Sequence, residues 1–229
     1  MGVEIAVLKT LATEQAYREL LPQFEKVSGH TVKTTYAGTV AVKKLVAGGE
    51  RFDLLMMASH DLDAFMASGI IAPGSRVDVA RSGVGVAVRE GAAKPNIGSP
   101  EAFTKTLLAA KTVGYSTGPS GDYFITLLER MGLSSQLTPK LRQIPTGDFV
   151  GRIVANGEAE IGIQQVSELS TYPGVDYVGM LPAALQKITI FASGIAANAK
   201  QPEAARALVK FITSPEAAPA FKKRGMEPR

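Results

Sequence analysis

Apolar and polar positions along the chain alternate between two periods, and the switch between them repeats from end to end. Ile5 to Leu8 is a short apolar run of strand size, and Tyr17, Leu20, Leu21, Phe24 and Val27 then recur at helical spacing behind a capping Thr13. Pro22 inside that helix removes a backbone hydrogen bond and predicts a kink. Thr31 to Tyr36 alternates with period two, as a half-buried strand does. The turn Ala37-Gly38-Thr39 opens a helix through Val46, Asp53 to Ala58 reads as a strand, and Ser59 caps a helix carrying Leu62, Phe65 and Met66. This order predicts a parallel sheet with helices on its faces.

The pattern resumes after a long extended stretch, Val77 to Arg89. Ser99-Pro100-Glu101 is a strong helix start, with proline at the first helical position and an acid in the first turn. Strands are expected at 112–116, 141–144, 160–166, 175–180 and 188–196. Helices are expected after Gly118, after a capping Asp148, and from Pro202 and Pro215. We read two α/β units, the second inserted into the first, with crossings near Ser82 and near Pro182 to Lys187. The expected boundaries are 1–82 with 188–229 for the first unit and 83–187 for the second.

Composition narrows the chemistry. The 229 residues are 45% hydrophobic and 20% charged, which suits a folded globular chain. No apolar run approaches the ~18 residues of a membrane span. The net charge of +4 is too small to indicate a nucleic-acid partner, and no cysteine is present to form a disulfide, a thiolate metal site or a thiol nucleophile. Gly114-Tyr115-Ser116-Thr117-Gly118 matches a nucleophile elbow, but both histidines, His30 and His60, precede the serine and no base follows it. Those histidines stand outside any metal-ligand spacing, and no phosphate-binding glycine loop is present. On these grounds we expect no enzyme, no metal and no cofactor.

Ligands of open α/β sheets bind beyond the carboxyl ends of strands. The turns there carry Lys9, Thr10 and Thr13; Gly38 and Thr39; Ser116, Thr117, Gly118, Ser120 and Gly121; and Thr146, Gly147 and Asp148. Each opens a helix whose first N–H groups lack intrahelical partners, so the turns suit a small anion. They equally suit ordinary capping. Lys9 is a cation at the end of a buried strand, either an anion partner or a side chain that reaches outward to water.

The chain resembles the molybdate-binding-protein family of periplasmic solute receptors, of the type II periplasmic binding fold. The resemblance is carried by Val7-Leu8-Lys9-Thr10-Leu11, Gln23 to Gly29, Tyr36-Ala37-Gly38-Thr39, Gly48 to Asp53, Gly118-Pro119-Ser120-Gly121-Asp122-Tyr123, Val154 to Gly162 and Ser214-Pro215-Glu216-Ala217-Ala218. It implies a two-lobed α/β fold, two sandwich domains joined by two crossover strands, that closes around an anion such as molybdate or tungstate. It also implies a monomer, exported to the periplasm with its signal peptide removed, that delivers its ligand to the membrane permease of an ABC importer. Family ligand contacts carry over to Thr10, Thr39, Ser120, Phe149 or Val150, and Gln165, beside Gly121 and Gln164.

Two departures matter. The family opening A-A-S-L is Leu8-Lys9-Thr10-Leu11 here, and the family tyrosine is Gln165. They favour, as an alternative ligand, a small di- or tricarboxylate paired with Lys9 and hydrogen-bonded by Gln164 or Gln165. The ligand-sensing domain of a transcriptional regulator is the alternative of a different class.

Overall fold

The computed structural model describes residues 2–229. The chain runs β1 (Glu4–Lys9), α1 (Glu14–Ser28), β2 (Thr31–Tyr36), α2 (Thr39–Ala47), β3 (Leu54–Ala58) and α3 (Ser59–Ala67). Next come β4 (Val77–Arg89), α4 (Pro100–Ala109), β5 (Val113–Tyr115), α5 (Pro119–Arg130), α6 (Ser134–Leu137), β6 (Leu141–Gln143) and α7 (Val150–Ala155). It closes with β7 (Ile161–Gln165), α8 (Val166–Leu169), β8 (Val175–Met180), β9 (Ile188–Ile195), α9 (Pro202–Ile212), α10 (Ala218–Lys222) and β10 (Glu227–Pro228). Two compact units result, residues 1–81 with 189–229 and residues 82–188. The chain passes between them within β4 and at the start of β9.

In the first unit β2, β1 and β3 are parallel, and β9 lies antiparallel to β3. The wholly parallel sheet read from the sequence is therefore mixed, because β9 returns from the other unit with no helical crossover to reverse it. Side chains alternate across this sheet. Ile5 and Val7 of β1 and Leu54 and Met56 of β3 pack with Tyr17, Leu20 and Phe24 of α1 and with α9. Leu8, Leu55 and Met57 pack on the opposite face with Val42 and Leu62. Val27, placed by spacing on the buried face of α1, is 72% exposed, since the last turn of that helix has passed the sheet edge.

The second unit orders β4, β7, β5 and β6, with β5 parallel to both neighbours and β4 antiparallel to β7 and β8. Val84, Val86, Ile161 and Ile163 face Phe103, Phe124 and Leu127. Ala87 faces Val150, Ile153 and Val154 on the other side.

Capping differs in detail from the pattern reading. Ser99 does cap α4, accepting from the amide of Ala102 at 3.2 Å. Thr13 precedes α1 without a side-chain capping bond, and Ser59 is the first residue inside α3, with Ala58 before it. Asp148 sits one residue further out than expected: its Oδ1 accepts from the Phe149 amide, and its Oδ2 pairs with Arg152 at 2.8 Å. Pro215 opens only a short 3-10 turn ahead of α10.

One buried carboxylate holds the first unit together. Asp53, 4% exposed, accepts from the amide of Ala6 at 2.8 Å through Oδ2 and from those of Lys200 and Gln201 at 2.7 and 2.9 Å through Oδ1. It thereby joins β1 to the segment that leads into α9, Lys200 lying 147 residues from Asp53 in sequence. Asp53→Ala leaves three amides unsatisfied and is expected to cost about 3 kcal/mol or more, read as a lower urea midpoint at unchanged slope.

Candidate functional site

The carboxyl end of β1 gathers three of the expected residues. Lys9 aligns with Tyr36 of β2 and with Met56 of β3, and the amide of Ala37 donates to the Lys9 carbonyl at 3.1 Å. The Gly38-Thr39 turn that starts α2 therefore lies beside Lys9 and Thr10. Thr10, 6% exposed, donates its amide to the Met56 carbonyl at 3.0 Å. Thr39 is half-buried at the first position of α2.

Lys9 has no exposed surface, so it does not reach outward to water. The cause is strand parity: Ile5, Val7 and Lys9 share the face that packs on α1, and the side chain has only that face to enter. There its ammonium donates to the Thr10 carbonyl at 2.8 Å. It stands 5.2 Å from the ring centre of Tyr17 and 5.3 Å from that of Tyr36. Ring faces carry negative quadrupole potential and attract a cation most strongly where water is excluded. The hydroxyl of Tyr17 lies 3.2 Å from that of Thr34, and burial holds the Tyr17 phenol well above its ordinary range. The Arg18 guanidinium stacks on Tyr36, 4.0 Å from its centre, and burial raises the Tyr36 phenol as well.

In the second unit β5 ends at Tyr115, aligned to Ile163 of the parallel β7, which runs on to Gln165. Ser120 is buried and its hydroxyl lies 3.1 Å from that of Ser116. Gly121 turns its own amide to the Gly118 carbonyl at 2.9 Å. A Cβ at Gly121 would lie 1.8 Å from the Ser116 carbonyl oxygen, so this glycine lets the first turn of α5 rest on the end of β5.

Gln164 and Gln165 point to opposite faces of β7, as strand alternation requires. Gln164, 2% exposed, accepts the amide of Val150 at 2.8 Å, so it caps the six-residue α7. That bond engages the Val150 N–H that the resemblance offered to a ligand. Phe149 likewise donates its amide to Asp148 and sets its ring 5.8 Å from that of Tyr172. Gln165, 1% exposed, ends the strand on the face of Ile161 and Ile163.

Pattern reading passed over two features here. Glu168, on α8 three residues beyond β7, is only 9% exposed, though its sequence context is unremarkable. The aromatic surroundings of Lys9 were hidden because Tyr17 reads as core and Tyr36 as an ordinary strand residue. A lysine on the apolar face of a strand was the available signal.

Residues 5–227 match the model of a family described as bacterial extracellular solute-binding protein. A protein of a Pseudomonas species named aconitate isomerase is 38% identical over 230 residues, covering 98% of this chain and 87% of that protein. The periplasmic molybdate-binding protein of Azotobacter vinelandii superposes with a TM-score of 0.80 at 19% identity, covering 97% of this chain and 98% of that one. A sulfate-binding protein from Mycobacterium tuberculosis gives 0.78 at 18% identity, covering 99% and 87%. The fold is the type II periplasmic binding fold. The Pseudomonas relative bears an enzyme's name, which overturns the expectation that this chain is no enzyme. That expectation rested on the absence of nucleophile and metal motifs, and moving a proton between two carbons demands neither.

Gln164→Leu removes the acceptor of a buried amide and is expected to destabilise the second unit by about 1–3 kcal/mol in chemical denaturation. Gly121→Ala drives a methyl into the Ser116 carbonyl and is expected to lose about 3 kcal/mol.

Proposed function

Because the chain belongs to the bacterial extracellular solute-binding proteins, we propose that it captures a small tricarboxylate of the aconitate type and shifts its double bond by proton transfer. The observation that carries this reading is Lys9, a lysine with no exposed surface at a strand end where ligands of this fold class collect. A buried ammonium favours an anionic guest that replaces lost hydration with charge-assisted hydrogen bonds. The 38% identity to the Pseudomonas aconitate isomerase supports the choice of guest.

In the first unit Lys9, Thr10 and Thr39 are the proposed contacts; in the second, taken by itself, Ser120 and Gln165 are the candidates. Gln164, Val150, Phe149 and Gly121 support them, shaping the turns. In the proposed reaction a base takes one proton from the methylene carbon of aconitate. The electron pair spreads over the allylic carbons and the attached carboxylates, and the proton returns at the far allylic carbon. One C–H bond breaks, one forms, and the double bond moves one place with no change in oxidation state. The Lys9 ammonium is the proposed group that stabilises the charge that develops.

A second reading is a receptor that delivers a bound anion to the membrane permease of an ABC importer. The structural likeness to molybdate- and sulfate-binding proteins favours it. In both readings we place the protein in the periplasm as a monomer.

Calorimetry over trans-aconitate, cis-aconitate, citrate, molybdate and sulfate, with proton NMR of trans-aconitate in D2O, tests the proposal. Expected are binding of trans-aconitate, its conversion toward the cis isomer and deuterium at the methylene. Lys9→Met is expected to weaken binding at least about tenfold. Binding without conversion leaves only the receptor reading. Tight molybdate binding with no tricarboxylate bound overturns the choice of ligand.

A further inference from the structure

We infer that Tyr17 and Tyr36 are positioning residues that keep Lys9 an ammonium and fix its direction, so that Lys9 serves as a stationary cation and not as the proton-abstracting base. The inference rests on the proposed function only for the identity of the guest. Its ground is the geometry at the end of β1.

Burial by itself disfavours a charged lysine. Among its neighbours, the Thr10 carbonyl, which accepts from the ammonium, and the two ring faces at 5.2 and 5.3 Å act the other way. The rings come from different elements, Tyr17 from α1 and Tyr36 from β2, so the side chain is held from two directions. They also hold each other, edge to face, with centres 6.4 Å apart. Tyr17 is anchored through Thr34, and Tyr36 is anchored by Arg18, which pairs in turn with Glu14 at 2.7 Å. Neither phenol becomes a phenolate near neutral pH, because burial raises both, so each ring acts through its face and not through a negative oxygen. Lys9 in this setting offers fixed N–H donors to a carboxylate. A neutral amine, which abstraction of a carbon-bound proton would need, is the disfavoured form.

The test is NMR titration of the full chain, without ligand, carrying lysine labelled at Cε and Nζ, with the Lys9 signal assigned by its loss in Lys9→Met. Tyr36 is half-buried and is the variant site. Tyr36→Phe keeps the ring and is expected to leave the Lys9 titration in place. Tyr36→Leu is expected to lower it by about one pH unit. Tyr36→Met serves as a second ring-free variant should leucine leave the strand unfolded. Trans-aconitate affinity of the ring-free variants is expected to fall further behind the parent as pH rises from 7 to 10, whereas a purely structural defect would weaken binding equally at every pH. A ring-free variant that titrates like the parent overturns the inference, as does Tyr36→Phe falling as far as Tyr36→Leu. If no tricarboxylate binds the parent, the proposed function fails while the titration still decides the role of the rings.

Discussion

A lysine ammonium withdrawn from water at the end of a strand must be compensated on the spot, and the carboxyl end of β1 is organised around that demand. An uncompensated buried charge would cost more than most single interactions in a domain contribute. Lys9 meets a backbone carbonyl and two aromatic faces, and each ring is anchored by a further polar contact. The arrangement reaches from β1 to α1 and β2. It ties the electrostatics of the candidate site to the packing of the first unit.

The strand ends of the two units, each taken by itself, are built differently. In the first, a charge and two threonine-bearing turns gather at the ends of adjacent parallel strands. In the second, polar groups are partly spent on the scaffold: Gln164 on the Val150 amide, Asp148 on Phe149 and Arg152, Gly121 on its approach to Ser116. Ser120, Gln165 and Glu168 are further buried polar side chains of this unit. Proton transfer within a small carboxylate needs a cation to steady charge and a carboxylate to move a proton, and residues of both kinds are buried in this chain.

One fold can host different functions, because function resides in the side chains of the site. Molybdate- and sulfate-binding structures share the architecture at under 20% identity, and a full-length relative at 38% bears the name of an isomerase.

What the amino-acid order determined by itself was the succession of elements. Periods of two and 3.6 are local properties, and they place nearly every strand and helix; the capping Ser99 and the short segments that carry the resemblance to solute receptors are local as well. The absence of nucleophile and metal motifs does not exclude an enzyme, as the name of the Pseudomonas relative shows, because proton transfer requires no fixed spacing in the sequence. Tertiary structure alone decided which polar residues remain for a ligand. Lys9 is buried because parity turns it inward onto α1. Gln164 caps α7 because Gly162 lets that helix close onto β7 beside Val150 and Val154. Asp53 is a structural clamp because Lys200 returns to it from 147 residues away. Each of these outcomes depends on partners distant in the sequence, and a local pattern carries no record of them.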